Sequence, residues 1–292
     1  MKLQCQVEVV NRLHNALNVR KSGKYLKSTL AIGKEPKSET EYFILYFSSV
    51  NKTGTKYRVK SIKQVFVKCL NEGRMPNLSE LYLSNNKLGA QKDINWKWLF
   101  GPQITKSLKL LDLSSNQLTQ LPKPIWKLQK LVTLKLDNNQ LEKLPGPLGR
   151  IGTLRYLTIS RNTLASLPCS LMQCNLEYLD ISSNNFNHSL ENPELKQHSP
   201  WDFYVGSLVH LSSKVVLKHK MFYAPNIIPW TLVEFLDNAN MCVCGMPVVN
   251  DMYFRNKEYE LKDFFRVVVF DNNRSSTVAF ECYYCSPRCF SR

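Results

Sequence analysis

The feature that most constrains the fold of this chain is a spaced pattern of apolar residues that recurs five times. The pattern reads Leu-x-x-Leu-x-Leu-x-x-Asn-x-Leu, with isoleucine or phenylalanine at a few of its apolar positions. Its copies begin at Leu78, Leu108, Leu131, Leu154 and Leu176. The later copies start 22 or 23 residues apart, and the first step is longer. A period of this length predicts stacked structural repeats, because one repeat cannot bury its own apolar face.

This spacing is the leucine-rich-repeat signature, and it predicts an α/β solenoid over residues 74–190. Alternate side chains of a short strand point to opposite faces, so Leu81 and Leu83 are expected in the core. The asparagine of each copy is expected to turn the chain and to bond backbone groups through its amide, since a buried amide must be hydrogen-bonded. Such a solenoid offers a long concave surface and usually no catalytic cleft, so the pattern favours a binding protein.

The outward-facing positions of the predicted strands are the place to look for a binding partner. The predicted substrate-binding residues at these positions are Tyr82, Asp112, Lys135, Tyr156 and Tyr178. Two of the tyrosines fall in adjacent repeats and are flanked by carboxylates, and aromatic residues are favoured interface anchors. The alternative is that this face is merely solvated.

Charge and cysteine content narrow the class of protein. The 292-residue chain has a net charge of +16, from 39 basic and 23 acidic side chains. The excess favours acidic or DNA-associated partners, but it forms no basic run typical of direct nucleic-acid binding. The start of the sequence has no apolar stretch of signal-peptide length, and no run is long enough to span a membrane. Nine cysteines, an odd number unevenly placed, argue against a disulfide framework, so we expect an intracellular protein.

Residues 1–73 contain no repeat and are expected to form a small β module that ends in a helix. The strand candidates cover residues 3–9, 26–32, 42–47 and 57–59. A helix is predicted over 61–72, with Ser61 at its start and Gly73 as its stop. Because solenoid ends must be covered, this module would also cap the first repeat.

Beyond the repeats, residues 187–205 are polar and indicate a linker. Residues 206–239 turn apolar again with helical periodicity, and we assign 200–239 to a helical segment. Leu208, Ser212 and Val216 lie one helical turn apart. A large, a small and a branched residue on one side suit recognition of a helix in a groove, although an ordinary amphipathic helix gives the same spacing. A second motif, Ile228-Pro229-x-x-Leu232, follows closely.

The C-terminal unit, residues 240–292, is rich in cysteine. Cys242 and Cys244 are followed about forty residues later by Cys282, Cys285 and Cys289, with strand-like sequence at 264–270 and 277–280 between them. Two cysteine pairs brought together by a hairpin or small sheet make a tetrahedral zinc site. The second pair is Cys285 with either Cys282 or Cys289, of which we favour Cys289. The alternative to a structural zinc is a set of reduced thiols packed in a small core.

Taken together, these motifs resemble a known family. Ser207-Leu208-x-x-x-Ser212 is similar to an elongin-C-binding box, and Ile228-Pro229-x-x-Leu232 is similar to a cullin-2 box. With the N-terminal sequence Met1–Val9 and the Cys242–Gly245 motif, the chain resembles the leucine-rich-repeat substrate receptors of cullin-2 ubiquitin ligases. Their N-terminus is pleckstrin-homology-like; here that module is shorter than the family's, because a repeat begins almost directly after Gly73.

The resemblance implies a role for each box. It implies elongin C contacts by Leu208, Ser212 and Val216. It implies cullin-2 contacts by Ile228, Pro229 and Leu232. It also implies a nuclear adaptor that links elongin B/C and cullin-2 to the replicative helicase, whose ubiquitylation leads to its removal from chromatin at the end of replication.

Two classes of function therefore stand, and a third is disfavoured. The first is a non-catalytic substrate receptor of a ubiquitin ligase. The alternative is a generic intracellular leucine-rich-repeat scaffold that binds a signalling protein, which would have no need for the 207–232 segment. An enzyme is disfavoured because the sequence shows no nucleophile–base pair, phosphate loop or metalloprotease helix.

Overall fold

The protein is described by a computed structural model that covers residues 3–4, 29–34, 43–48, 54–59, 79–90, 96–101, 104–186, 207–249, 253–271 and 276–291. The predicted helix at 61–72 and linker at 187–205 lie outside these residues. The chain divides into two compact units, of which one comprises Met1–Leu118 with Lys127–Asn139 and the other Thr119–Trp126 with Gln140–Arg292.

The first unit contains an antiparallel meander joined to three parallel repeat strands. Its described strands are β1 (Leu3–Gln4), β2 (Thr29–Lys34), β3 (Phe43–Ser48), β4 (Gly54–Val59), β5 (Glu80–Tyr82), β6 (Leu110–Asp112) and β7 (Thr133–Lys135). Their order in the sheet is β7-β6-β5-β1-β2-β3-β4. Strand β1 pairs antiparallel with both β2 and β5, with Leu3 opposite Leu81. The N-terminal module therefore covers the open edge of the first repeat, as a cap must.

Helical turns connect these strands. Short 3₁₀ helices of the chain span Leu88–Ala90, Lys97–Phe100, Lys123–Lys127, Gly146–Arg150, Cys169–Gln173 and Leu261–Asp263. Helix α1 covers Ile104–Ser107. Together with the Lys97–Phe100 turn, α1 accounts for the longer step between the first two repeats.

The second unit contains the later repeats and the C-terminal segment. Its described strands are β8 (Tyr156–Thr158), β9 (Leu167–Pro168), β10 (Tyr178–Asp180), β11 (Asn240–Met241), β12 (Pro247–Val248), β13 (Phe254–Glu260), β14 (Val268–Val269) and β15 (Thr277–Tyr283). Its helices are α2 (Leu208–Lys218), α3 (Trp230–Asp237) and α4 (Pro287–Phe290). None of the described helices combines the length and the apolar character needed to cross a bilayer.

The apolar positions of the repeat pattern form the core, as predicted. The inward-facing residues of the repeat strands are all at most 3% exposed: Leu81, Leu83, Leu111, Leu113, Leu134, Leu136, Leu157, Ile159, Leu179 and Ile181. Burying one such side chain contributes about 1.5–3 kcal/mol. The repeated pattern is therefore the main source of the stability of the solenoid.

The predicted asparagine ladder is present. The amide of Asn184 donates to the carbonyls of Ile181 and Ile159, both at 2.9 Å, and its oxygen accepts from the Leu164 N–H at 3.1 Å. Equivalent amides at Asn116 and Asn139 are also buried and bonded to two repeats. Each asparagine thus bonds its own repeat and the preceding one, which fixes the stacking distance.

A strand from outside the repeats ends the parallel sheet of the second unit. Strand β14 pairs in parallel with β10, with Leu179 opposite Val268. The Ser183 N–H then donates to both carboxylate oxygens of Asp271, at 3.0 and 3.1 Å. Arg161 occupies the position in the preceding repeat that Ser183 occupies in the last one. Its N–H donates to a carbonyl of the next repeat, that of Ser182. Strand β14 and Asp271 therefore replace the strand and loop that a further repeat would supply.

The two segments with strand-like sequence, residues 264–270 and 277–280, do not pair with each other. Strand β15 pairs antiparallel with β13 over its whole length and in parallel with β9, whereas Val268 and Val269 pair with the last repeat. The backbone N–H and C=O groups at the outer edge of β10 need hydrogen-bond partners, and β14 supplies them.

Candidate functional site

Helix α2 presents a row of apolar side chains away from the protein. The helix starts at Leu208, and the Ser207 side chain accepts from the His210 N–H at its N-terminus. Leu208, Leu211 and Val215 are all exposed. These positions follow the i, i+3, i+7 spacing of one helical face, and the described residues leave this face uncovered.

The structure places the three predicted elongin C residues on this helix but not in equivalent environments. Leu208 is 83% exposed, and Ser212 is exposed, with its hydroxyl donating to the Leu208 carbonyl at 2.7 Å. Val216 is partly buried against the cluster that contains Leu217. The exposed face continues instead at Val215, which is 53% exposed. Sequence reasoning missed Leu211 and Val215, which the i, i+3, i+7 spacing could have identified.

The second motif lies at the start of helix α3. Pro229 occupies the position before the first helical residue, Trp230, where a residue without an N–H is tolerated. Pro229 and Leu232 are exposed, whereas Ile228 is partly buried against the cluster formed by Leu217, Leu236 and Ala239. The predicted cullin-2 residues thus divide into two exposed positions and one that also supports the helix packing.

Helices α2 and α3 pack against each other. Leu217 of α2 and Leu236 of α3 share one buried cluster. The rings of His210 and Phe235 meet edge to face at 5.7 Å. These contacts hold the exposed faces of the two helices in a fixed relation.

The end of helix α3 is held by residues of the repeats. The Trp126 indole N–H donates to the Asp237 carbonyl at 3.3 Å, and the Arg150 guanidinium lies 3.4 Å from the centre of the Trp126 ring. Tyr223 donates to the Asp237 carboxylate at 2.9 Å. Burial lowers the pKa of Arg150, and burial followed by the charge of Asp237 raises the pKa of Tyr223. This buried polar network attaches the helical pair to the solenoid.

Four cysteines of the C-terminal segment converge on one point. The sulfurs of Cys242, Cys244, Cys285 and Cys289 all lie within 4.8 Å of one another. The Cys244 and Cys289 sulfurs are 3.6 and 3.7 Å from the Cys285 sulfur. All four are free thiols. Burial raises the pKa of Cys242 and that of Cys285. One metal ion could reach all four sulfurs.

Local backbone geometry produces this convergence. The Cys242 N–H donates to the Met246 carbonyl at 2.8 Å, which closes a tight turn between β11 and β12. Gly245 has a φ of +86° in that turn, a conformation that residues with a Cβ rarely adopt. On the other side, the Ser286 hydroxyl accepts from the Cys289 N–H at 3.3 Å and starts helix α4. Both cysteine pairs are therefore presented by short, hydrogen-bonded turns.

Cys282 is separate from this group. It is fully buried on strand β15, and a hydrogen bond with Cys169 lowers its pKa. The same hydrogen bond, together with burial, raises the pKa of Cys169. Burial also raises the pKa of the neighbouring Tyr259 to about 12. Of the two pairings that the sequence left open, the geometry brings Cys289, and not Cys282, next to Cys285.

Two of the predicted substrate-binding residues lie side by side in the second unit. Tyr156 and Tyr178 are paired in register on β8 and β10. Tyr156 is 41% exposed, and its hydroxyl donates to the Glu177 carboxylate at 2.7 Å. This hydrogen bond, and the charge of Glu177, raise the pKa of Tyr156. Tyr178 is half-buried, so both rings form part of an accessible surface.

The other three candidates belong to the first unit. Tyr82 and Lys135 are half-buried, and Asp112 is nearly buried. The Asp112 carboxylate accepts from the Ser114 N–H at 3.0 Å, so one of its oxygens is already engaged within its own turn. Burial raises the pKa of Tyr82, and the nearby Glu80 carboxylate adds to that effect.

Comparison with known proteins finds matches for the N-terminal module and for the repeats. Residues 1–76 match the family model of the LRR1 pleckstrin homology domain, and residues 76–141 and 175–196 match leucine-rich-repeat models. A segment of 117 residues is 33% identical to human leucine-rich repeat protein 1 and 32% identical to the mouse protein. It covers 40% of this chain, 27% of the human protein and 26% of the mouse protein, about a quarter of their length.

A solved leucine-rich-repeat protein of Leptospira interrogans is also similar. It is 30% identical over 38% of this chain and 32% of that chain, with a TM-score of 0.31.

Proposed function

We propose that this leucine-rich repeat protein, with its LRR1-type pleckstrin homology region, is a non-catalytic substrate receptor of a cullin-2 ubiquitin ligase. Helix α2 would bind elongin C, which brings elongin B, and the start of α3 would bind cullin-2. The observation that carries the proposal is the exposed apolar face of α2, where Leu208 is 83% exposed at the position that an elongin-C-binding box requires.

The composition of this surface supports docking. The exposed large apolar residues of the helical segment are Leu208, Val209, Leu211, Val215, Met221, Phe222, Ile227, Trp230 and Leu232. Exposed apolar side chains clustered on one segment mark interaction sites in soluble proteins. Ser212 is small and its hydroxyl is bonded within the helix, so a partner helix could approach closely there without leaving a polar group unpaired.

The receptor role would need no chemistry from the chain itself. Its contribution would be to hold a substrate near a ubiquitin-conjugating enzyme, which accelerates transfer by proximity. We propose the replicative helicase assembly as the substrate and the nucleus as the location, with Tyr156 and Tyr178 as the main anchors. The two tyrosines are large, rigid and adjacent, which suits an interface centre.

The experiment is co-purification of the full chain with elongin B/C. Replacing Leu208 with Ser should weaken binding by about 2–4 kcal/mol, the loss expected for a central interface anchor. Lys218→Ala is the matched control, because Lys218 is exposed in the last turn of the same helix. Circular dichroism should show both variants folded. Unchanged elongin C binding by the Leu208 variant would refute the receptor role.

A second arm separates the two boxes. Changing Pro229 and Leu232 together to Ala should weaken cullin-2 recruitment and leave elongin C bound, since these side chains are exposed on a different helix. Ile228 is left intact because it packs against Leu236. Loss of both partners from a folded variant would show that the segment does not contain two independent contacts.

A further inference from the structure

We propose that Cys242, Cys244, Cys285 and Cys289 bind one Zn²⁺ ion as thiolates, and that this ion holds the β11–β12 turn against the end of β15. Zinc would thereby support helix α2, which packs on the segment that follows the turn. This proposal concerns the folding of the C-terminal segment and holds whether or not α2 binds elongin C.

The distances between the sulfurs fit a single tetrahedral ion. A Zn–S bond of about 2.3 Å in a tetrahedral site places the sulfurs roughly 3.8 Å apart. The sulfurs of Cys244 and Cys289 lie 3.6 and 3.7 Å from that of Cys285, and no pair in the set exceeds 4.8 Å. Four sulfur donors in this geometry favour zinc or iron–sulfur chemistry over magnesium or calcium. The closeness of the sulfurs favours one ion over a cluster.

The fold brings four of the five C-terminal cysteines together and leaves one out. Cys282 lies on β15, close in sequence to Cys285, but its thiol is fully buried and is not among the four sulfurs that converge. A structural zinc site uses four protein ligands and leaves no open position. The remaining four cysteines complete the site, and Cys282 belongs to the neighbouring core.

The two turns that carry the ligands are attached to other elements of the second unit. The Gln173 amide donates to the Val243 carbonyl at 2.6 Å, which ties the first turn to the repeat that begins at Leu154. The Lys214 ammonium donates to the Cys285 carbonyl at 3.4 Å, which places a positive charge from helix α2 beside the site. A zinc ion with four thiolates carries about two negative charges, so this lysine would stabilise the loaded centre.

Helix α2 is linked to the site by packing as well. Val249, which follows β12, packs against the buried cluster that contains Leu217 of α2. The site therefore lies between the repeat that begins at Leu154 and the helix. Release of the ion would leave the β11–β12 turn held by its hydrogen bonds and its packing alone, and α2 would lose part of its support.

The direct test is metal analysis of the full chain, freshly purified under reducing conditions without added metal. We expect about one zinc per chain. Replacement by Co²⁺ should give the visible absorption of tetrahedral cobalt with sulfur ligands. Absence of metal, stoichiometric iron, or a disulfide among these cysteines would each overturn the proposal.

Variants identify the ligands. Cys244→Ser should lower zinc occupancy at least tenfold in the presence of a competing chelator, and Cys244 is exposed, so the change opens no core. Cys289→His should retain zinc, with a cobalt spectrum shifted by the nitrogen ligand, because histidine also binds zinc. Cys282→Ser is the control that should keep full occupancy. Loss of zinc from a folded Cys282 variant, or full occupancy in Cys244→Ser, would contradict the ligand set.

Hydrogen exchange tests the support of α2 without any partner protein. Removing zinc with a chelator should accelerate exchange across residues 207–218 and 240–249, since metal binding contributes to folding directly. The repeats at 104–160 should exchange at an unchanged rate and serve as the internal control. Unchanged exchange in both segments after complete removal of zinc would show that the ion does not support the helix.

Discussion

The repeats and the C-terminal segment are stabilised by different kinds of contact. In the repeats, each buried amide bonds the preceding turn of the solenoid, as Asn184 does with Ile159 twenty-five residues away. In the C-terminal segment, the contacts join residues far apart, such as Trp126 with Asp237 at a separation of 111 and Cys244 with Cys285 at 41. The repeats also bury their large apolar residues, whereas helix α2 leaves Leu208 and Val215 exposed.

This difference separates stability from recognition. A repetitive core spreads its free energy over many equivalent neighbours, so its surface residues are available for binding at little cost to the fold. The C-terminal segment has no repeated pattern of equivalent contacts, and it keeps apolar surface accessible because, in our proposal, a partner covers it. Substitutions in the repeat core should therefore lower stability, whereas substitutions on the exposed face of helix α2 should weaken binding and leave stability nearly unchanged.

The largest effect on stability should come from the repeat core. Leu157→Ala removes a fully buried side chain at the centre of β8 and should lower the free energy of unfolding by about 2–5 kcal/mol. Leu211→Ala in α2 is the control, because that leucine is exposed and its loss should change stability by less than about 0.5 kcal/mol. Denaturant unfolding of the two variants measures both values. Equal losses would remove the distinction between the regions.

The asparagine ladder should come next. Asn184→Ala deletes an amide that bonds Ile159, Ile181 and Leu164, and should cost about 1–3 kcal/mol, because backbone groups are left buried without partners. Asn185→Ala is the matched control, because Asn185 is the next residue along the chain and is exposed. It should leave the free energy of unfolding nearly unchanged. A similar stability for both variants, measured in the same unfolding assay, would mean that the ladder does not stabilise the stack.

The third effect should appear in binding and not in stability. Changing Tyr156 and Tyr178 to Ala should weaken binding of the helicase assembly by about tenfold or more, which is about 1.4 kcal/mol. Elongin C binding should persist in this double variant, whereas Leu208→Ser should weaken it. Binding assays at two salt concentrations should also show weaker binding at high salt, because the chain has a net charge of +16. A double variant that binds as well as wild type would place the substrate surface elsewhere.

The smallest effect should be a local change in acidity. Because a hydrogen bond and the charge of Glu177 raise the pKa of Tyr156, Glu177→Gln should lower that pKa toward the ordinary value of about 10. The hydrogen bond is present while the tyrosine is protonated and is lost as pH rises through the folded-state pKa. NMR titration of labelled tyrosine measures the shift, with Tyr156→Phe to assign the signal. An unchanged pKa would show that the carboxylate does not act on this ring.

The repeats could be predicted from the sequence because the same apolar pattern recurs in five copies, and each copy assigns the same positions to the core. Strand alternation assigns Leu81 and Leu83 to the core, and the same reasoning recurs in every copy. The cysteine group could also be predicted, since two short spacings restrict the pairs. The choice between Cys282 and Cys289 depends on which face of β15 is buried, because Cys282 is fully buried whereas the Cys289 sulfur lies 3.7 Å from the Cys285 sulfur.

The contacts that the sequence did not reveal involve tertiary structure without a local pattern. The rotation of helix α2 is set by Leu217 packing against Leu236, and this buries part of Val216 and exposes Val215. Nothing in the spacing of the segment specifies that partner. Likewise, β14 comprises only Val268 and Val269, and its pairing with β10 depends on an edge that exists only once the repeats have folded.

That late strand has a consequence for the order of events on the ribosome. Ser183 and Asp271, which meet at the end of the sheet, are 88 residues apart in the chain. At about 5–20 residues per second, the last repeat leaves the ribosome roughly 4–18 seconds before the segment that covers it. During that interval the nascent solenoid carries an unfinished sheet edge, on which a strand of another chain could pair. Synthesis of the C-terminal segment is therefore also the step that ends this exposure to misassembly.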